Sequence, residues 1–270
     1  MNKRNSLRVK ERSDFVRFVF DLEGTISFHD EKVSDYLTDM LAFLCERGHE
    51  PIFVSSKSIR HMLTLLDKQF HNSKMVGGNG AVICYRGNIE QIVAFSTSMF
   101  SKLKELIQLF DATYLVESDW DYAYTGGVYH RVVNDVDPYK LAENHHLEDL
   151  STVWKITILS ASNRKEIIEK LRKLNVAVHL IDDGEMIEIT PLGLSKWNAL
   201  RTLGIQKRNY IAFGKDEEDV NVFDFAQYTI LIGNNPALVA FADEQLIVDD
   251  RIEMKIVESC KRLSERFKLT

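Results

Sequence analysis

The chain has 270 residues, of which 45% are hydrophobic and 27% charged, and its formal net charge at pH 7 is −6. This composition is typical of a globular protein, and the length suits one large domain or two ordinary ones. The acidic balance argues against nucleic acid as a partner, which favours a basic surface, and no apolar run reaches the roughly 20 residues of a membrane span.

The N-terminal segment and the cysteines give weak signals about targeting and redox state. Residues 1–14 are basic and polar and lack the apolar stretch of a secretory signal, so we expect a frayed leader. Cys45, Cys84 and Cys260 have no paired spacing, which indicates reduced thiols and no zinc site. We therefore predict a cytoplasmic protein.

The first predicted element is an apolar strand, residues 18–20, that ends in two carboxylates, Asp21 and Glu23, with Gly24 turning the chain. A near-continuous apolar run predicts a buried parallel strand, and the chemistry of open α/β sheets lies just beyond the carboxyl ends of such strands. Mg²⁺ is a natural partner for two acids there, since it prefers one or two carboxylates plus phosphate oxygens. A plain strand followed by an acidic turn is the alternative.

Helical and extended patterns then alternate as far as residue 80. The predicted elements are a helix over 32–47, a strand over 51–54, a helix over 59–70 and a strand at 75–76. Such alternation is the signature of a parallel, doubly wound sheet.

The middle of the chain loses this rhythm. Its predicted elements are strands at 81–85 and 89–95, a helix over 98–110, an aromatic-rich segment over 113–133, a strand over 154–159, a helix over 163–174 and strands at 176–181 and 185–189. Hairpin turns and β-branched residues indicate a mostly antiparallel α+β module.

From Ser195 the alternation returns, with helices predicted at 196–203 and 219–226 and strands at 210–213 and 228–232. We therefore predict an α/β fold with a doubly wound, Rossmann-like parallel-sheet core formed by residues 1–82 and 192–270. An inserted α+β domain occupies residues 83–191.

Polar groups follow several strands that should share one sheet edge. They are Asp21 with Glu23, Ser55 with Ser56, Lys196, and the acidic run at 216–219. Each group has a plainer explanation: the serines can cap a helix, the lysine can be solvated, and acids favour a helix N-terminus. Their joint occurrence favours a common site.

These segments also carry a family resemblance. The chain resembles the haloacid dehalogenase-like superfamily, and within it the Cof-type phosphatases with a large cap between the second and third signature motifs. The segments that carry the resemblance are Asp21-Leu22-Glu23-Gly24-Thr25, Val54-Ser55-Ser56-Lys57, Asn79-Gly80-Ala81, Glu188-Ile189-Thr190-Pro191 with Ser195-Lys196, and Gly214 through Asp219.

The resemblance implies roles for these residues. Asp21 would be the nucleophile that forms an aspartyl-phosphate, and Glu23 the general acid/base. Ser55, Ser56 and Lys196 would bind phosphate. The cofactor would be Mg²⁺, held by Asp21, the main-chain carbonyl of Glu23, Asp216 and Asp219, and residues 83–191 would be the cap that selects the substrate.

Three positions depart from the family pattern. Glu23 is one methylene longer than the usual aspartate, which changes its reach. Lys215 stands where many relatives keep a metal-binding aspartate, so that Asp216 becomes the expected ligand. Glu218 replaces an asparagine that commonly touches phosphate.

Candidate substrate contacts are Asn79, Trp120, Arg131 and Glu188. The aromatic residues near Trp120 can instead pack the core of the insert. Arg131 and Lys155 can contact a second anionic group of the substrate, or else be surface or salt-bridged residues.

The sequence thus predicts a Mg²⁺-dependent phosphomonoester hydrolase acting on a small phosphorylated metabolite, with a sugar phosphate as the expected class, in a monomer or homodimer. Two alternatives remain open. One is a catalytically impaired protein that binds phosphorylated ligands, and the other is a phosphomutase or phosphotransferase.

Overall fold

The computed structural model describes residues 15–267 apart from Asp30, Arg131 and residues 133–135. The basic leader at 1–14 and the candidate substrate contact Arg131 therefore lie outside the described residues. Among the helices of the described part, none combines the length and apolarity that crossing a bilayer requires.

The strands of the described residues form two sheets. In chain order they are β1 (Arg17–Asp21), β2 (Glu50–Val54), β3 (Lys74–Gly77), β4 (Val82–Tyr85), β5 (Asn88–Ile92), β6 (Thr113–Glu117), β7 (Tyr122–Tyr124), β8 (Lys155–Ser160), β9 (Val176–Ile181), β10 (Met186–Pro191), β11 (Ile211–Gly214), β12 (Tyr228–Ile232) and β13 (Glu244–Leu246).

The helices pack on both sheets. The α-helices are α1 (Asp35–Glu46), α2 (Ile59–Leu65), α3 (Thr97–Leu109), α4 (Arg164–Leu171), α5 (Lys196–Thr202), α6 (Val220–Phe225), α7 (Pro236–Val239) and α8 (Ile252–Arg266). Short 3₁₀ turns lie at Lys68–Phe70, Gly78–Gly80, Leu147–Asp149 and Glu217–Asp219.

The larger sheet has the order β13-β12-β11-β1-β2-β3-β4-β5 within the described chain. Strands β13 to β3 run parallel, and β4 and β5 form an antiparallel hairpin at one edge. In the centre, Phe20 of β1 lies opposite Phe53 of β2 and Phe213 of β11. The carboxyl ends of these three strands therefore lie side by side.

Both faces of the larger sheet are covered, which explains why the three central residues of β1, Phe18 to Phe20, are all apolar. Phe18 and Phe20 belong to a core cluster that includes residues of α1 and α8. Val19, between them, belongs to a cluster on the other face that includes residues of α5 and α6. The predicted α/β, doubly wound core is confirmed.

The inserted segment folds around the second sheet, which has the order β7-β6-β8-β10-β9 and is antiparallel. Side chains of α3 and α4 complete its core. The larger sheet continues through Ile92, past the predicted boundary at residue 82, because β4 pairs with β3. The predicted boundary at 191/192 lies between β10 and α5. We call the unit of β6–β10 with α3 and α4 the cap.

One predicted helix is shorter than its apolar spacing suggests. The helix expected over 59–70 ends at Leu65, because Leu66 adopts an extended conformation with φ −94° and ψ 145°. The Asp67 side chain then accepts a hydrogen bond from the Gln69 amide and starts a separate 3₁₀ turn. The local capping side chain divides the segment in two.

Candidate active site

Asp21 closes β1 and is 3% exposed. Its Oδ1 accepts a hydrogen bond from the Lys196 ammonium at 2.7 Å, and its Oδ2 accepts one from the Thr25 hydroxyl at 3.0 Å. Thr25 follows the turn at Gly24, whose φ of 69° lies in the region that glycine tolerates best. The turn after β1 therefore positions the Asp21 carboxylate through the Thr25 hydroxyl.

Lys196 enters the same space from the first turn of α5. The Ser195 side chain caps this helix by accepting from the Asn198 amide. The Lys196 ammonium is 2.7 Å from Asp21 Oδ1 and 2.7 Å from Asp219 Oδ1, although the residue is only 2% exposed. A buried charge is expensive without partners, so these two carboxylates are what makes the buried ammonium tolerable.

Burial is the largest influence on the Asp21 carboxyl and raises its pKa to about 8. The neighbouring charges of Asp219 and Glu23 also raise this pKa, whereas Lys196 lowers it. The two carboxylates in turn raise the pKa of Lys196 despite its burial, so the lysine remains an ammonium.

Asp219 is held by the loop after β11. Its Oδ2 accepts hydrogen bonds from the amides of Lys215 at 2.9 Å and Asp216 at 3.1 Å. Gly214 lets this carboxylate approach, because a Cβ there would lie 2.6 Å from Asp219 Oδ2. The loop conformation thus depends on a glycine at the strand end.

Glu23 is positioned by Ser55 at the end of β2. The Ser55 hydroxyl lies 2.8 Å from both carboxylate oxygens of Glu23 and accepts a hydrogen bond from the Lys57 amide at 2.9 Å. Ser55 was predicted to bind phosphate, but its hydroxyl proton is directed at Glu23. The same contact fixes the carboxylate beside Asp21.

The predicted side-chain ligands of Mg²⁺ already have other partners. Asp216 is half exposed and pairs with the Lys215 ammonium at 3.0 Å. Asp21 and Asp219 each direct one oxygen at Lys196, and the second oxygen accepts from the Thr25 hydroxyl in Asp21 and from two amides in Asp219. No group of three or more acidic, histidine or cysteine side chains suited to a metal exists among the described residues. The predicted magnesium site therefore does not fit these three side chains.

A cleft of about 430 Å³ opens above this cluster, between the core and the cap. The polar residues that line it include Ser56, Asn79, Lys155, Glu188, Lys196 and Glu218. A second cleft of about 330 Å³ adjoins it and shares Lys155, Ile181 and Glu188. Clefts of this size accommodate a small metabolite.

The cap touches the core at the floor of the cleft. Trp154 is 1% exposed, and a Cβ on Gly78 would lie 2.4 Å from its ring. The indole Nε1 donates to the Ser118 carbonyl at 2.6 Å. The side chain of Lys155, the next residue, is 12% exposed and forms an ion pair with Glu117. The polar groups that line the cleft thus include residues of the cap.

The candidate substrate contacts have different positions. Asn79 and Glu188 line the cleft, and the Asn79 side chain donates a hydrogen bond to Glu218. Trp120 lines neither cleft: its indole donates to the Leu141 carbonyl at 2.8 Å within the cap. The structure therefore brings two of the described candidates to the cleft and holds the third away from it.

Two contributors were missing from the predicted site residues. Thr25 holds Asp21 directly, and its hydroxyl at position i+4 after a strand-end carboxylate is a signal that the sequence contains. Lys155 was expected to be surface-exposed or salt-bridged, and it is salt-bridged while lining both clefts. The position of Lys155 in both clefts depends on how the cap packs on the core, which the sequence pattern does not show.

The comparisons with known proteins agree with this architecture. A family model for haloacid dehalogenase-like hydrolases matches residues 18–262. No curated protein matches the chain at a significant level of sequence similarity.

Several solved structures share the fold. A haloacid dehalogenase-like hydrolase from Bacteroides thetaiotaomicron is 17% identical, with a TM-score of 0.76 over 92% of this chain and 99% of that one. A Thermotoga maritima protein is 18% identical, with a TM-score of 0.77 over 92% and 97% of the two chains. A phosphatase of the same superfamily, also from Bacteroides thetaiotaomicron, is 16% identical, with a TM-score of 0.71 over 95% and 99%. At such identities the likeness establishes the fold alone.

Proposed function

The chain belongs to the haloacid dehalogenase-like hydrolase family, and from this premise we propose that it hydrolyses phosphate monoesters of a small metabolite through Asp21. The observation that carries the proposal is the 2.7 Å contact of the buried Asp21 carboxylate with the ammonium of Lys196, a residue that lines the cleft between core and cap. A carboxylate beside a fixed cation is suited to attack an anionic group, because the cation offsets the repulsion.

The reaction would proceed in two displacements. In the first, an Asp21 oxygen forms a bond to phosphorus while the bond from phosphorus to the ester oxygen breaks, and Glu23 gives a proton to the departing alcohol. In the second, Glu23 takes a proton from water, whose oxygen displaces Asp21 and yields inorganic phosphate. Lys196 stabilises charge on the transferring group in both steps.

The substrate class follows from the lining of the cleft. Lys155 and Glu188, both on the cap, add one cation and one hydrogen-bond acceptor beyond the phosphate position. Such a pair suits a ligand with several hydroxyl groups, and we therefore propose a sugar phosphate. A cytoplasmic location and a monomeric or dimeric state remain predictions.

A phosphate-release screen tests the proposed function. The purified protein would be incubated with sugar, nucleotide and cofactor phosphates, once with EDTA and once with Mg²⁺. We expect release from at least one sugar phosphate. Absence of release from the whole panel under both conditions contradicts the proposal.

The pKa of Asp21 predicts the pH dependence of the reaction. Only the ionised carboxylate attacks, and its folded pKa is about 8, so kcat/KM should rise nearly tenfold per pH unit from about 6.5 and level off above 8. The substrate phosphate ionises near pH 6, below this window. A profile measured with p-nitrophenyl phosphate that is flat from pH 6.5 to 9 would contradict the raised pKa.

Replacing Ser55 by Ala is expected to lower kcat about 10- to 100-fold, because Glu23 loses the hydroxyl that positions it. The loss should be larger for an alkyl phosphate than for p-nitrophenyl phosphate, whose leaving group needs little protonation. Ser162→Ala, at an exposed position just before α4 of the cap, is the matched control and should retain kcat. An equal loss with both substrates would mean that Ser55 does not act through Glu23.

A phosphate-binding protein without turnover is the second candidate. It is favoured by the pKa of Asp21, since a carboxyl protonated at neutral pH is a poor nucleophile. Thermal stabilisation by a phosphorylated ligand, together with no phosphate release at any pH from 6 to 9, would select this function.

A further inference from the structure

Lys215 lies across the turn that follows β1. Gly24 has no side chain, and a Cβ at this position would be 2.6 Å from Lys215 Cε and 3.1 Å from Lys215 Nζ. The lysine side chain therefore occupies the space beside the backbone that links Glu23 to Thr25.

The Lys215 ammonium has acidic neighbours but is not enclosed. It lies 3.0 Å from an Asp216 oxygen, and its charge also interacts with those of Asp21 and Asp219. Its side chain is 32% exposed, in contrast to the buried Lys196. A partly exposed ammonium can replace a bound water molecule by a phosphate oxygen while it keeps its ion pair with Asp216.

Charge balance argues against a divalent ion in the same place. The buried carboxylates of Asp21 and Asp219 both contact the Lys196 ammonium, and the nearby charge of Lys215 interacts with both as well. A doubly charged cation beside them would be repelled by both lysines, and Asp216 is turned outward by its pairing with Lys215. Mg²⁺ also demands near-octahedral oxygen ligands at about 2.0–2.1 Å, which these engaged carboxylates do not offer.

We propose that Lys215 is the fixed cation of the phosphate site, so that this protein binds and transfers phosphoryl groups without a divalent metal. The inference rests on the proposed function for the identity of its ligand. Lys215 would bind oxygens of the transferring phosphoryl group and stabilise their charge. It would neither give nor take a proton, because the bond changes involve only Asp21, Glu23, the ester and water.

Phosphate binding in the absence of metal tests this proposal. The thermal midpoint of the wild-type protein should rise with inorganic phosphate in the presence of EDTA, and Mg²⁺ should add nothing. Lys215→Met and Lys215→Gln should weaken phosphate affinity at least about tenfold, and the exposed cap variant Lys165→Met should retain it. The midpoint without phosphate reports whether each variant is folded.

Direct metal binding gives the second readout. Titration with Mn²⁺, followed by the electron paramagnetic resonance of the free ion, should show no stoichiometric uptake by the wild-type protein. Uptake of one equivalent that is lost in Asp21→Asn, or a phosphate shift that requires Mg²⁺, overturns the proposal. Neither readout needs turnover, so failure of the proposed hydrolysis would leave both intact and be recognised separately in the release screen.

Discussion

Replacing Asp21 by Asn is expected to abolish phosphate release, with a fall in kcat of roughly 10⁴-fold or more. The amide cannot attack phosphorus to form the aspartyl-phosphate, and no other carboxylate lies in its place: Glu23 is engaged by Ser55, and Asp219 by Lys196 and two backbone amides. The loss should appear in kcat with every substrate that the wild-type protein accepts.

The same variant is expected to fold at least as stably as the wild type. A folded pKa raised from 3.8 to about 8 means that the native state binds the proton more tightly than the unfolded chain. The contribution of Asp21 to stability therefore falls as the pH rises from about 4 to 8. Asn carries no charge, so the thermal midpoint of the variant should equal or exceed that of the wild type at pH 8 and above.

Intact mass after acid quenching supplies the direct measurement. The wild-type protein should gain the mass of one phosphoryl group during turnover, and Asp21→Asn should not. Asp224→Asn is a matched control, because it makes the same change on an exposed position of α6 and should keep wild-type kcat. Phosphorylation that persists in Asp21→Asn would assign the nucleophile to another residue.

The convergence of Asp21, Lys196 and Asp219 follows from the sequence pattern. Apolar runs at β1 and β11 and the return of strand–helix alternation after Ser195 predict a parallel sheet whose strand ends share an edge. Asp21 and the loop that holds Asp219 lie at those ends, and α5 brings Lys196 across. Since backbone topology alone sets this proximity, it could be anticipated without coordinates.

The direction of individual side chains could not be anticipated. Ser55 lies where a phosphate ligand is expected, yet its hydroxyl faces Glu23, because that glutamate is long enough to reach it. Asp216 and Asp219 are both aspartates and lie three residues apart in the sequence. The turn at Glu217–Asp219 directs Asp219 inward to accept two amides and leaves Asp216 beside Lys215. Local hydrogen bonding decides such choices.

The cap was harder still to predict in detail. The hairpin β4–β5 was assigned to the insert because its turn pattern breaks the alternation, but it pairs with β3 of the core. Trp120 is of a residue type that often contacts ligands, but its indole instead donates a hydrogen bond to the Leu141 carbonyl within the cap. Strand pairing and domain packing depend on residues that are far apart in the chain, so a single sequence predicts them poorly.

Lys196→Met is expected to be the most destabilising single change at the site, by about 3–5 kcal/mol at neutral pH. The side chain fills the same buried volume, but the carboxylates of Asp21 and Asp219 lose the ammonium that lies 2.7 Å from each of them. Two buried acids without a counter-ion either repel each other or must take up a proton, and both outcomes lower the stability of the native state.

The pH dependence separates this electrostatic cause from simple loss of packing. The raised pKa of Lys196 means that its contribution to stability is fully present below its unfolded value near 10.5 and is lost only as the pH rises through the folded value. The cost of Lys196→Met should therefore depend on the ionisation of Asp21, whose pKa of about 8 leaves it mostly protonated at pH 6, and should be larger at pH 9 than at pH 6. Chemical denaturation at both pH values measures it.

A double variant completes the test. Asp219→Asn in the Lys196→Met background removes one of the two unpaired charges and should recover part of the lost stability, whereas Asp219→Asn alone should destabilise the wild type. Lys173→Met, at an exposed turn of the cap, should change stability by no more than about 0.5 kcal/mol. If Lys196→Met cost as little as this control, the buried ion pairs would not be what holds α5 against the ends of β1 and β11.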